Sequence, residues 1–211
     1  MTSVAPVMQW QLPFGSAAVF PSRDRIVRPF VLIGDPAEGP VEPAAFAQDI
    51  DDPGYSFRAA LKDARLDLIL VSPSVSRTLE EGYRTFAEVI MRTIAERLSS
   101  NPLTICAIGR GALLLRYSLA RFESQRIDHQ TECMVSYYST EPTMQEIAAL
   151  DEVGSWPMRP MKYVVAEPGM PQQNLDYQTS DFDDVIPGAA PDRVPLFTRE
   201  LGNNILQRTV R

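Results

Sequence analysis

Strand-length apolar runs that do not alternate are the feature that most constrains this chain. Phe30-Val31-Leu32-Ile33, Leu66-Asp67-Leu68-Ile69-Leu70-Val71 and Leu103-Thr104-Ile105-Cys106-Ala107-Ile108 are almost continuously apolar. A strand with one solvated face alternates apolar and polar residues. Continuous runs instead mean burial on both faces, as in a parallel sheet covered by helices. Between the second and third runs, Leu79, Tyr83, Phe86, Ile90, Ile94 and Leu98 recur at three- and four-residue steps. That spacing predicts a helix over 79–98 with one apolar face. Thr78 is its expected N-cap, with Glu81 at the third helical position completing a capping box.

Other segments extend the pattern. Short apolar patches at 7–12 and 17–20, separated by Pro-Phe-Gly, predict a pair of edge strands within residues 1–26. Short helices are expected over 43–48 and 57–64, and longer ones over 112–122 and 201–210. Further strands are expected over 131–138 and 162–166, with a short edge strand at 194–197. This order gives an α/β fold class, a three-layer sandwich on a mostly parallel sheet, with the whole chain 1–211 as a single domain. Residues 168–195 are Pro-rich with little periodicity, and are expected to form a lid or interaction arm. In that arm Tyr177, Phe182, Asp183 and Asp184 combine aromatic anchors with acids that suit a protein partner.

Composition narrows the chemistry. Twenty Lys and Arg stand against 27 Asp and Glu, a net charge of −7, and no basic run offers a nucleic-acid surface. One His and two Cys cannot supply a His-rich or four-Cys zinc site. The string Asp128, His129, Glu132, Cys133 lacks paired ligand spacing. The acids Asp176, Asp181, Asp183 and Asp184 lack the Gly and terminal Glu of a calcium loop, and read as a solvated face. No metal or cofactor is expected. Neither a signal peptide nor a membrane span is visible, which makes the cytoplasm the default location. Cys106 and Cys133, on neighbouring strands, are expected to be buried small hydrophobes.

The informative passage is Ala107-Ile108-Gly109-Arg110-Gly111-Ala112, followed by Arg116-Tyr117-Ser118-Leu119-Ala120. A buried strand turns abruptly into a helix at small residues. In parallel sheets this happens at the carboxyl edge, where ligands bind and nucleophiles are displayed. Over residues 28–141 the chain resembles the α/β-hydrolase superfamily, and within it lipase- and esterase-like members whose elbow reads G-x-S-x-G-G-x-x-x-R-Y-x-L-A.

The resemblance implies that Gly109 stands at the nucleophile position, in an elbow reading A-I-G-R-G. It implies that Gly34-Asp35-Pro36 forms the loop carrying an oxyanion-hole donor. It also implies that Val135-Ser136-Tyr137-Tyr138-Ser139-Thr140-Glu141 lies where the family carries an acidic residue, here Tyr138. The base would come from about residues 198–202, which hold no His, while His129 precedes the fourth strand and belongs at the amino edge. Acyl transfer on this fold needs a nucleophile, a base and an orienting acid. No catalytic residue is therefore assigned. The remnant pocket comprises Gly34, Asp35, Pro36, Arg110, Gly111, Tyr138, Ser139 and Glu141 around Gly109. The glycines either serve a tight turn alone or clear space for another group, such as Arg110 or a ligand anion. The expected function is that of a non-catalytic pseudo-hydrolase, a protein-binding or assembly subunit. Two other readings stay open: a small-ligand binder using the remnant pocket, and a hydrolase with an unorthodox set such as Tyr138 with Glu141 or Asp35.

Overall fold

The computed structural model describes residues 5–36, 42–52, 54–75, 78–166, 181–188 and 196–209. Its β-strands are β1 (Met8–Leu12), β2 (Gly15–Phe20), β3 (Pro29–Ile33), β4 (Asp51–Asp52), β5 (Tyr55–Ser56), β6 (Asp67–Pro73), β7 (Leu103–Ile108), β8 (Thr131–Tyr137), β9 (Met161–Ala166) and β10 (Asp184–Pro187). The helices are α1 (Pro43–Asp49), α2 (Phe57–Asp63), α3 (Leu79–Glu96), α4 (Arg110–Ser124), α5 (Met144–Val153) and α6 (Arg199–Thr209). An eight-stranded sheet has the order β1-β2-β6-β3-β7-β8-β9-β10, and β4 and β5 form a separate small hairpin. From β6 to β10 all pairs are parallel, while β1–β2 and β2–β6 are antiparallel.

The continuous apolar runs are the centre of this sheet, and every residue of β3, β6 and β7 is buried. Strand side chains alternate between faces, so each run feeds two cores. Val31, Ile33, Ile69, Val71, Ile105 and Ala107 face α3 and α4, against Phe86, Val89, Leu113 and Leu114. Phe30, Leu32, Leu68, Leu70, Cys106 and Ile108 face the other side, against Phe57, Leu61 and Ile205. Three layers result, as expected. Both cysteines are free and buried, and burial pushes the Cys106 thiol strongly upward in pKa.

Helix α3 carries the expected cap, with Thr78 Oγ1 accepting from the Glu81 amide at 3.2 Å. Helix α4 is buried on nearly all sides, because α3 and α5 flank it and the sheet lies beneath. Even Arg116 is inside: its Nε donates to the Ser155 carbonyl at 2.7 Å and its guanidinium lies 4.1 Å from the centre of the Trp156 ring. Arg116 of the helix motif thus anchors the chain leaving α5.

Three differences from expectation stand out. Helix α5 was not anticipated, although Thr143 and Glu146 form a complete reciprocal capping box. Strand β10 was also missed. It adds Ile186 to the core beside β9 and ends on a Pro, as an edge strand permits. Residues 194–195 of the expected edge strand lie outside the described residues, and Leu196 and Phe197 form a bend. Phe197 stacks on Phe57 with ring centres 4.3 Å apart, and the Leu196 carbonyl accepts from Tyr137 Oη at 2.9 Å, so packing takes both residues off a strand path.

At the amino edge of the sheet Asp67 holds the entry to β3. Its carboxylate is fully buried and accepts from the Ser22 amide (2.7 Å), Ser22 Oγ (2.8 Å), the Val27 amide (2.6 Å) and the Arg28 amide (2.7 Å). Removing the acceptor takes the partner from three amides and from Ser22 Oγ. Asp67→Ala is therefore expected to cost roughly 3 kcal/mol in urea unfolding, from the loss of hydrogen bonds to a buried carboxylate; a loss under about 0.5 kcal/mol would show that these amides find other partners.

Candidate functional site

Sheet register brings the candidate residues together. Ile33 lies beside Ala107, so Gly34 and Asp35 leave β3 where β7 becomes α4. Gly109 alone makes that change of direction. Its φ of 55° and ψ of −125° lie in a region that side-chain-bearing residues seldom adopt. Its amide donates to the Tyr137 carbonyl at 2.9 Å, and its carbonyl accepts from the Ala112 and Thr140 amides at 3.1 and 3.4 Å. Thus β7, β8 and the loop after β8 are all tied to the same peptide.

The space beside Gly109 is occupied. A Cβ built on it would lie 2.5 Å from Asp35 Cγ and closer still to Asp35 Oδ2. At Gly111 a Cβ would lie 2.7 Å from the Gly34 carbonyl oxygen. The glycines therefore do more than turn the chain: they let the Gly34-Asp35-Pro36 loop press onto the start of α4. The group standing where a side chain of residue 109 would emerge is the Asp35 carboxylate.

Arg110 is engaged elsewhere. Its guanidinium pairs with both Glu146 oxygens, the contact from Nη1 to Oε2 being 3.2 Å. Glu146 Oε2 also accepts from the Thr143 amide at 2.9 Å and Thr143 Oγ1 at 3.0 Å. Burial raises the pKa of the Glu146 carboxyl, but Arg110 and Thr143 outweigh that and hold it below the usual range. Arg110 thus links the starts of α4 and α5. It borders a cavity of about 410 Å³ with Thr78, Glu80, Tyr117 and Thr143, and of the expected pocket set that cavity takes Arg110 alone.

The loop after β8 supplies the remaining candidates. Tyr138 is half-buried at a positive φ of 50°, with its ring 5.9 Å from that of Tyr137. Ser139 is half-buried, its Oγ 3.4 Å from the Thr140 carbonyl, and Glu141 is exposed. In the expected arm, Tyr177 and Asp176 lie outside the described residues. Phe182 is half-buried, and the two acids are tied down. Asp183 Oδ2 accepts from the Lys162 amide at 2.7 Å, and Asp184 Oδ2 pairs with Arg208 Nε at 2.8 Å. Arg208 holds the Asp184 carboxyl below its usual pKa range.

His129 is at the other end of the sheet. It precedes β8, opposite the start of β7, and the six residues of β7 separate it from Gly109 by roughly 20 Å at about 3.3 Å per residue. It is fully buried, with Nδ1 accepting from the Thr131 amide and Nε2 donating to Glu123 Oε1, both at 3.1 Å. Glu123 also accepts from the amides of Met158 (2.6 Å) and Arg159 (2.9 Å). The only imidazole in the sequence clamps the turn before β8 to the turn before β9.

No family model and no curated protein matches the sequence significantly. Solved structures do. The fold is that of the α/β-hydrolases. One chain from a study of two esterases of the fungus Rhizomucor miehei is similar with a TM-score of 0.58 at 11% identity, over 98% of this chain and 84% of that one. A lipase/esterase from Lactobacillus plantarum gives 0.55 at 10%, over 93% and 94%. A hyperthermophilic esterase from the archaeon Pyrobaculum calidifontis gives 0.52 at 11%, over 76% of this chain, which spans 64% of that esterase. At such identities the likeness is one of fold.

The clamp at Glu123 generates a pH prediction. Burial raises the pKa of this carboxyl, but the Met158 and Arg159 amides and His129 together bring it below the ordinary value. A carboxyl with a depressed folded-state pKa stabilises the fold above its unfolded pKa, and that contribution fades as pH falls through the folded value. Glu123→Gln should therefore lower the melting temperature at neutral pH and reduce its decline below about pH 4.5, the range of an unperturbed Glu. Parallel melting curves for the two proteins across acid pH would contradict the clamp.

Proposed function

We propose that this chain is a hydrolase-fold protein without hydrolase chemistry, acting as a protein-binding or assembly subunit. The observation that carries the reading is the Asp35 carboxylate lodged against Gly109, in the volume a nucleophilic side chain would need. A serine at 109 would collide with it. The general base is missing as well, since the one His is buried at the amino edge and held by Glu123 and Thr131. Nucleophilic catalysis requires both groups within hydrogen-bond reach. A carboxylate can attack an ester carbonyl in principle, but Asp35 would still need a proton carrier for the second half of the reaction.

Support for the binding role comes from what is kept. The sheet, the elbow turn and the helices around them persist while the reacting groups do not, which suits a scaffold whose value lies in its surface. Partner contact is assigned to the arm over 168–195, with Tyr177 and Phe182 as aromatic anchors. Residues 184–187 of that arm belong to the sheet as β10, so the interface falls on the rest of it.

The test has two arms. Purified full-length protein should show no fluorophosphonate labelling and no saturable turnover of short-chain esters, and Gly109→Ser should acquire neither. Turnover abolished by Asp35→Asn would overturn the non-catalytic reading. Deleting residues 170–180, which leaves β10 intact, should weaken self-association in sedimentation velocity or capture of a defined partner; unchanged association would remove the arm from the interface.

A further inference from the structure

A second concave site lies away from the elbow. A hollow of about 400 Å³ opens beside α2, with Val7, Phe20, Pro21, Ala59 and Leu68 as its apolar wall. Phe20 pairs with Leu68 at the start of β6, so the hollow is at the amino end of the sheet, whereas Gly109 follows the carboxyl end of β7. Its volume falls in the range of small-molecule pockets. Part of its wall is uncovered apolar surface, Val7 being 63% exposed.

The polar groups of this hollow divide into two kinds. Asp51, Ser56 and Arg58 are committed to one another. Asp51 accepts from Ser56 Oγ at 2.9 Å and from the Arg58 amide at 3.2 Å, and it forms an ion pair with the Arg58 guanidinium at 2.8 Å. Ser56 Oγ also accepts from the Ala59 amide at 3.1 Å, capping α2. Those charges cancel, and those donors and acceptors are satisfied. Lys62 lies one helical turn beyond Arg58 on the same face of α2. It lines the hollow, yet its ammonium makes no hydrogen bond or ion pair among the described residues. One free ammonium therefore stands beside an apolar wall, inside a rim whose other charges are neutralised.

We infer that this hollow binds a small amphiphilic monocarboxylate, with its apolar body against Phe20, Ala59 and Leu68 and its head on Lys62. An ammonium is a compact point charge that suits a single anionic head, whereas a phosphate would draw on the bidentate fork of an Arg, here taken by Asp51. A cationic amphiphile meets repulsion, and a neutral one leaves the ammonium unpaired. The protein's net charge of −7 opposes anions at long range, so recognition depends on the local pairing. The site is independent of the elbow and of whether the elbow is silent.

Titration of the full chain with octanoate, followed through backbone amide NMR shifts, tests this directly. Saturable shifts at Ala59, Lys62 and Leu68 are expected, with octyltrimethylammonium binding markedly weaker and acetate not saturating. Lys62→Met, a change on an exposed side chain, should abolish the preference of octanoate over its cationic counterpart. Ala59→Trp, which fills the hollow, should weaken octanoate at least about tenfold, equivalent to about 1.4 kcal/mol, with the circular dichroism spectrum unchanged. Three results would each overturn the inference: no saturable octanoate binding, equal binding of the two amphiphiles, or octanoate affinity undiminished in a folded Ala59→Trp protein.

Discussion

A single residue turns the central strand into the central helix, and the rest of the fold is arranged around that turn. Gly109 has Ile108, the last residue of β7, on one side and Arg110, the first residue of α4, on the other. A turn this short needs a backbone conformation that favours glycine, and it draws three elements onto one peptide through the Tyr137, Ala112 and Thr140 hydrogen bonds. The close approach of Gly111 to the Gly34 carbonyl brings the loop after β3 down onto α4. Once that loop is down, Asp35 has the space at residue 109. Turn, close approach and carboxylate form one interlocked unit.

Away from the elbow, ionisable side chains that could have carried chemistry carry architecture. Asp67 gathers the amides at the entrance to β3, and Glu123 joins His129 to the turn before β9. Glu146 fastens α5 to α4 through Arg110, and Asp51 fastens the β4–β5 hairpin to α2 through Arg58. Buried or half-buried charges are stable when paired and hydrogen-bonded, and each of these is. A group whose hydrogen bonds are fixed on several sides is poorly placed to exchange protons with a substrate. The Lys62 ammonium, at the hollow beside α2, has no such pairing among the described residues.

Much of the fold was legible in the sequence because its signals are local. Continuous apolar runs gave β3, β6 and β7, the three- and four-residue spacing gave α3, and Thr78 gave its cap. The small residues around 109 marked a turn whose geometry proved as sharp as expected. What escaped depended on contacts between distant segments, or on signals too short to weigh. Thr143 and Glu146 spell a capping box, but the helix behind it has a weak apolar stripe. β10 is four residues long, with an Asp and a Pro at its ends, and it exists because β9 offers an open edge. The seating of Asp35 on Gly109 follows from the pairing of β3 with β7, which no residue spacing discloses. The engagement of Arg110 by Glu146 likewise required α5, which was itself unforeseen.

The central claim is that Asp35 and Gly109 are a matched pair, the carboxylate fitting only because residue 109 lacks a side chain. A double-mutant cycle on stability measures this most directly, comparing Gly109→Ser, Asp35→Gly and the two combined in urea unfolding. Gly109→Ser alone should be strongly destabilising, from both the collision and the positive φ. In the Asp35→Gly background the collision disappears, so the same change should cost less, with a coupling energy of about 1–3 kcal/mol as for directly contacting residues. Additive effects within about 0.5 kcal/mol would contradict the account, because they would mean that the carboxylate does not occupy the space beside Gly109.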